Sequence, residues 1–262
     1  LSKDAFGSTR QGIAPAYADR YLKKAIQVGE LYFPERLRNR LKKIVEWKNL
    51  VAKGVWGKND AVNFDEMYEW ALTYGEQIKP MVTDTVDFMD KAYKQGKNIM
   101  FEAQLGALRD VMFGVYPYTS SSNSLASFAT IGGTLFGRTP DRVLGVMKAF
   151  STCVGEGPFL TELDTVAADS LRETAFEYGA ATGRPRRIGH FDVVASRDGA
   201  YFQGATEIAL TKLDCLTNTD PLLICTHYEW NGKPLERFPI NPVLEEAKPV
   251  YKEMKGWTDG WM

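Results

Sequence analysis

The chain has 262 residues, 44% apolar and 25% charged, enough to bury one large globular core or two small ones. Its 32 lysines and arginines nearly offset 33 aspartates and glutamates, so no overall field favours nucleic acid or a membrane and any anion binding must be local. Three cysteines without a CxxC pair (Cys153, Cys215, Cys225) and two histidines (His190, His227) exclude a disulfide framework and a His/Cys metal centre.

No run approaches the roughly 18 apolar residues a membrane span needs, and no secretory leader opens the chain. With reduced thiols, that leads us to expect a soluble, cytoplasmic protein. The first residue is Leu1 rather than Met, and Phe6–Gly7 is already loop-like, so the sequence reads as part of something longer. From Phe6 to Tyr17 a glycine-bearing loop leads to a helix start near Pro15, and residues 16–28 read as a short helix. Pro34 opens a stronger one, with Leu37, Leu41, Ile44, Val45 and Lys48 at helical spacing through about Val51. Asn63 to Tyr93 is helical in pattern, with Met67, Trp70, Ala71 and Tyr74 on one face and Pro80 breaking it in two.

From Gly96 the texture changes. Short apolar runs at 98–101, 142–150, 206–211 and 222–228 read as strands, and 191–195 reads equally as strand or helix. Near-continuous apolar runs of this length imply strands buried on both faces, hence a mostly parallel sheet flanked by helices. Asn241 to Tyr251 reads as a last short helix. The class is α/β, expected as a single domain over 1–262, with a mainly helical subregion 1–95 and a sheet-bearing subregion 96–262.

The loops between these runs are costly in residue choice. Residues 114–124 place hydroxyls and an amide behind a Tyr116–Pro117 turn, a composition that binds phosphate oxygens or simply caps a helix. Residues 154–159 form a tight glycine-bearing loop after a strand. Residues 179–192 hold Arg184, Arg186 and Arg187 between Gly183 and Gly189, with Pro185 stiffening the middle. Arginine forks match carboxylate and phosphate oxygens, so this loop looks like an anion clamp; the same composition also suits a solvated basic loop paired to Asp or Glu. Lys212 and Asp214 close a strand and fit either a guanine pocket or an ordinary helix cap.

Taken in order, residues 7–19, 116–123, 154–163, 181–187, 211–214 and 248–257 together closely resemble the adenylosuccinate synthetase family over nearly the whole chain. The resemblance implies a P-loop-NTPase-like ligase fold, incomplete here, and a reaction in purine biosynthesis. GTP with Mg²⁺ phosphorylates the 6-oxygen of IMP, and the amino group of L-aspartate then displaces phosphate. By position it implies that Val154, Thr182, Gly183, Arg184 and Arg186 bind aspartate. Thr9, Lys23, Gln104, Ser120 and Arg184 would serve IMP, and Lys212 and Asp214 would serve GTP. It also implies a homodimer, with Lys23 reaching the neighbouring site.

This chain departs from the family at several of these positions. Lys23 stands where the family has an arginine, keeping charge but losing the fork. The family glutamine that bonds the IMP base falls on Leu105, with Gln104 one place early. Ala181, His190 and Cys153 replace a threonine, a tryptophan and an arginine. Neither GxxxxGK[ST] nor the family's Gly-Asp-Glu-Gly-Lys-Gly occurs in the chain. The resemblance puts that phosphate loop, the catalytic aspartate and histidine and the Mg²⁺ ligands upstream of Leu1. No catalytic residue is therefore assigned here, and these 262 residues are expected not to catalyse ligation alone. Two other readings stay open: a ligase using another purine nucleotide, and a non-catalytic paralogue that binds nucleotide or dimerises.

Overall fold

In the computed structural model, residues 7–180 and 183–258 are described. The chain divides into two compact units, Gly12–Ile99 and Met100–Met262 with Leu1–Gln11, where the sequence predicts one domain. The division falls close to the expected line between the helical and sheet-bearing subregions.

The first unit is helical. Helix α1 (Ile13–Tyr21) carries Pro15 in its first turn, where no intrahelical N–H is needed. Helix α2 (Pro34–Trp56) starts on its proline and ends at Gly57, which turns left-handed at φ 65°. Its buried stripe Leu37, Leu41, Val45 and Ala52 follows the predicted spacing. Helix α3 (Phe64–Ile78) is capped by Asn63, whose side chain accepts from the Glu66 N–H at 3.1 Å. Pro80 sits in a short turn before α4 (Thr85–Lys94), which Asp84 caps. Leu31, Leu37, Leu41 and Ala71 form the core of this unit. The predicted apolar face of α3 is only partly used: Ala71 is buried, whereas Trp70 and Tyr74 are 60% and 51% exposed with ring centres 5.2 Å apart.

The second unit contains α5 (Ala129–Gly132), β1 (Leu144–Lys148), β2 (Ser151–Cys153), α6 (Thr165–Ala175), β3 (Arg187–Gly189) and β4 (Phe191–Asp192). It continues with α7 (Val193–Gln203), β5 (Glu207–Thr211), β6 (Leu222–Trp230), β7 (Lys233–Leu235), α8 (Asn241–Glu246) and β8 (Lys248–Met254). Strands β1 and β5 pair in parallel, as do β4 and β6. Strand β6 pairs antiparallel with β7 and β8, and β2 with β3. The α/β class therefore holds, but the described strands form separate small sheets of mixed direction rather than one mostly parallel sheet. Burial on both faces also fails at β1 and β5, where Leu144, Val146, Ile208 and Leu210 are all exposed.

Three local expectations change. The run 98–101 is irregular and straddles the division between the units, with no strand partner among the described residues. Residues 191–195 are both forms in turn, strand β4 and then α7, because the Asp192 side chain accepts from the Ala195 N–H at 2.9 Å and caps the helix. The expected last helix stops at Glu246; Pro249 keeps the preceding residue extended, and Val250 and Tyr251 then pair with β6.

Two pairings position the loops of interest. Cys153 lies opposite Arg187, so the chain leaving β2 and the chain entering β3 share one end of that hairpin. Lys148 lies opposite Thr211, so Lys148 and Lys212 emerge at the same carboxyl end of the β1·β5 pair.

Candidate functional site

The loop from Ala103 to Ser124 is built on one buried carboxylate. Asp110 Oδ1 accepts from the Met112 and Phe113 N–H groups, and Oδ2 accepts from the Ser124 N–H at 2.7 Å. This folds the hydroxyl-rich turn back, so that the Ser120 N–H donates to the Arg109 carbonyl at 2.8 Å. The Ser120 and Ser122 hydroxyls lie 2.8 Å apart. Gln104 and Leu105 are exposed and line a cavity of about 530 Å³ with Arg109, Cys153 and Glu156. Leu105 holds φ 83°, unusual for a branched residue.

The loop Val154–Gly157 is held by two guanidiniums. Arg109 donates to the carbonyls of Val154 (2.9 Å) and Glu156 (3.4 Å), and Arg187 to those of Gly155 (3.3 Å) and Gly157 (2.8 Å). Val154 itself stays 43% exposed. Two glycines allow close packing here. A Cβ on Gly7 would stand 2.6 Å from the Gly155 Cα, and one on Gly157, at φ 107°, would stand 2.7 Å from the Tyr118 ring.

The three clamp arginines have different environments. Arg187 pairs with Glu162 at 2.5 Å and stacks over Phe159, so its charge is spent on structure. Arg186 donates to Glu177 Oε2 at 2.6 Å, and its N–H to the Glu177 carbonyl at 3.0 Å. Arg184 is exposed; its guanidinium rests on the carbonyls of Gly7 (2.7 Å) and Ser8 (3.3 Å), next to Thr9. The paired-arginine reading thus fits Arg187 fully and Arg186 in part, while Arg184 remains directed at backbone dipoles.

Glu177 has no counterpart in the sequence reading. Helix α6 ends at Phe176 with φ 53°, and that turn drops Glu177 into the interior at 2% exposure. There its Oε1 accepts from Lys148 Nζ at 2.8 Å, opposite the Arg186 contact. Burial opposes ionisation of Glu177, but hydrogen bonds and charge from Lys148 and Arg186 outweigh it and hold the carboxyl below its ordinary 4.5. Burial, the largest influence on Lys148, lowers its ammonium below 10.5, with Glu177 opposing and Arg186 and Lys212 adding to the effect. Three cations thus gather about one carboxylate, which leaves this end of the β1·β5 pair positive. Lys212 holds φ 63° and donates to the Ala175 carbonyl at 2.9 Å; Asp214, exposed, begins the next turn.

Of the residues singled out in the sequence, Thr9, Ser120, Val154, Gly183, Arg184 and Arg186 are therefore carried on mutually bonded loops. Gln104 lines the adjoining cavity, and Lys212 faces the Glu177 cluster. Lys23, exposed at φ 59°, belongs to the helical unit. Thr182 and Ala181 lie outside the described residues. His190 packs edge-on against Tyr251, 5.1 Å between centres, and burial lowers its pKa, so it is neutral near pH 7. The described residues gather no group of three or more His, Cys, Asp or Glu that fits a metal ion, so nothing here is derived through Mg²⁺. Among the described residues no helix is long and apolar enough to cross a membrane.

An exposed arginine beside glycine-rich and hydroxyl-bearing loops, at the ends of α/β strands, defines a binding site for small polyanions. The adenylosuccinate synthetase family model matches residues 1–262, and the chain belongs to that family. It is 43% identical over 97% of its length to the adenylosuccinate synthetase of Caldanaerobacter subterraneus subsp. tengcongensis, covering 59% of that protein. To adenylosuccinate synthetase 2 of Pseudoalteromonas translucida it is 44% identical, covering 99% of the chain and 61% of that protein. The fully ligated adenylosuccinate synthetase of Plasmodium falciparum superposes with a TM-score of 0.90 at 28% identity, over 97% of this chain and 60% of that one. The chain thus spans about three fifths of the relatives it matches.

Proposed function

We propose that this chain is the substrate-binding portion of a cytoplasmic ligase that joins L-aspartate to IMP at the expense of GTP, a step of purine biosynthesis. The observation that carries the reading is the contact of Arg184 with the Gly7 and Ser8 carbonyls, which brings the arginine loop against the segment bearing Thr9. A guanidinium resting on neutral carbonyls gains by exchanging them for a carboxylate, because charge-assisted bonds are about twice as strong.

In this reading Arg184 and Arg186, with Thr182, Gly183 and Val154, hold the dicarboxylate. Thr9 and Ser120 bind the IMP phosphate by hydroxyl and backbone donors. Gln104 meets the base, and Lys212 and Asp214 meet the guanine of GTP. The role of these residues is orientation, which lowers the entropy cost of bringing an amine to an activated carbon. Mg²⁺ accompanying GTP would draw its ligands from residues outside this chain. Lys23 would serve the neighbour's IMP phosphate in a homodimer, and the exposed Trp70–Tyr74 face suits burial against a second copy. Transfer of radiolabelled L-aspartate into nucleotide by the full chain, only with IMP and GTP present, tests the reading. Labelled nucleotide that forms without IMP, or never forms, contradicts it.

Leu105 supports a second reading of the base. It occupies the cavity edge beside Gln104 with φ 83°, offering an apolar side chain where the IMP base would be bonded. Competition between IMP and GMP for the site decides this: a clear preference for IMP removes the variant.

A further inference from the structure

Arg109 stands outside every motif that marked the site, yet its side chain joins three segments that carry it. Nη1 donates to the Tyr118 carbonyl in the hydroxyl turn and to the Glu156 carbonyl. Nη2 donates to the Val154 carbonyl at 2.9 Å and touches the Cys153 Sγ at the end of β2. Its own carbonyl accepts from the Ser120 N–H at 2.8 Å. The residue sits on the short turn Ala107–Arg109, three positions beyond Gly106, whose carbonyl accepts from the Ser124 hydroxyl at 2.9 Å. Unlike Arg142, Arg172, Arg186, Arg187 and Arg237, it forms no ion pair among the described residues.

From this geometry, and resting on the reading above, we propose that Arg109 is the positioning residue that fixes the aspartate-side loop Val154–Gly157 against the IMP-side turn Tyr118–Ser120. The reason is the donor fork. Backbone carbonyls of two loops, with no side chain between them, have nothing to bond across the gap, and their dipoles repel. A guanidinium with five donors in a plane satisfies several at once and supplies the positive charge their negative ends require. The same contact answers the departure at Cys153: the cation absent from that position is delivered to its sulfur from residue 109. Arg187 holds the alternate carbonyls of the same loop from the other side, so Val154 is presented between two fixed guanidiniums.

The test uses the full chain with Arg109→Leu and Arg109→Lys. Amide exchange is the first readout and does not depend on turnover. In Arg109→Leu, residues 118–122 and 154–157 should both exchange about ten-fold faster, while β6 and β8 keep their protection. The second readout is the split between KM and kcat. The KM for L-aspartate should rise about ten-fold with kcat falling less, and Arg109→Lys should recover only part of the loss, since one ammonium cannot replace the fork. Unchanged exchange at either loop, or full recovery by lysine, overturns the proposal. If the unaltered chain shows no aspartate-dependent turnover, the ligase reading fails, and the exchange measurement still decides the role of Arg109.

Discussion

Arg184 reaches across 177 positions of sequence to donate to the Gly7 carbonyl at 2.7 Å. This bond closes the site, because it ties the arginine loop to the segment that carries Thr9, and the Gly7–Gly155 approach brings in the loop after β2. Arg184 is also the clamp arginine whose charge is least committed, since Arg187 is held by Glu162 and Arg186 by Glu177. Arg184→Lys should therefore raise the KM for L-aspartate by about ten- to one hundred-fold, the loss of one bidentate charge-assisted contact, with little change in melting temperature. Steady-state kinetics with aspartate varied checks this.

Glu177 is the opposite case, a buried carboxylate whose removal leaves two partly buried cations without their partner. Glu177→Gln should destabilise the fold by about 3 kcal/mol, at the low end of the range for breaking a buried pair. Equilibrium urea denaturation monitored by tryptophan fluorescence reads the change as a lower midpoint at unchanged slope.

The same residue sets a pH dependence. Its carboxyl lies below 4.5 in the fold, so the folded state binds fewer protons than the unfolded chain in that range. The stability it contributes is fully present above its unfolded value and is lost as pH falls through the lower folded value. Denaturation midpoints measured downward from pH 6 should fall more steeply in the unaltered protein than in Glu177→Gln.

Gly157 presents a steric prediction. At φ 107°, with a new Cβ 2.7 Å from the Tyr118 ring, Gly157→Ala must move the loop or the tyrosine. Strain of about 1–3 kcal/mol is expected, with the KM for aspartate raised, because the displaced loop carries Val154. A thermal melt paired with aspartate kinetics checks both.

Much of the molecule was legible before the structure. The stripe from Leu37 to Val45, the proline break at Pro80 and the strands ending at Lys148 and Thr211 follow from periodicity and backbone chemistry alone. Spacing from Asn241 to Tyr251 could not show where α8 gives way to β8, because the strand depends on its partner β6. The arginines of the clamp were visible, but not their unequal commitment, since Glu162 and Glu177 are distant in sequence or unremarkable in it. Arg109 carries no local signal at all. Its role comes from carbonyls 9 to 47 positions away, and no pattern of side-chain types marks a backbone acceptor.

The most direct measurement is stoichiometry: phosphate released from GTP against L-aspartate consumed by the full chain in the presence of IMP. The account predicts one phosphate per aspartate and no release when either aspartate or IMP is omitted. Phosphate release that continues unchanged without aspartate would contradict it.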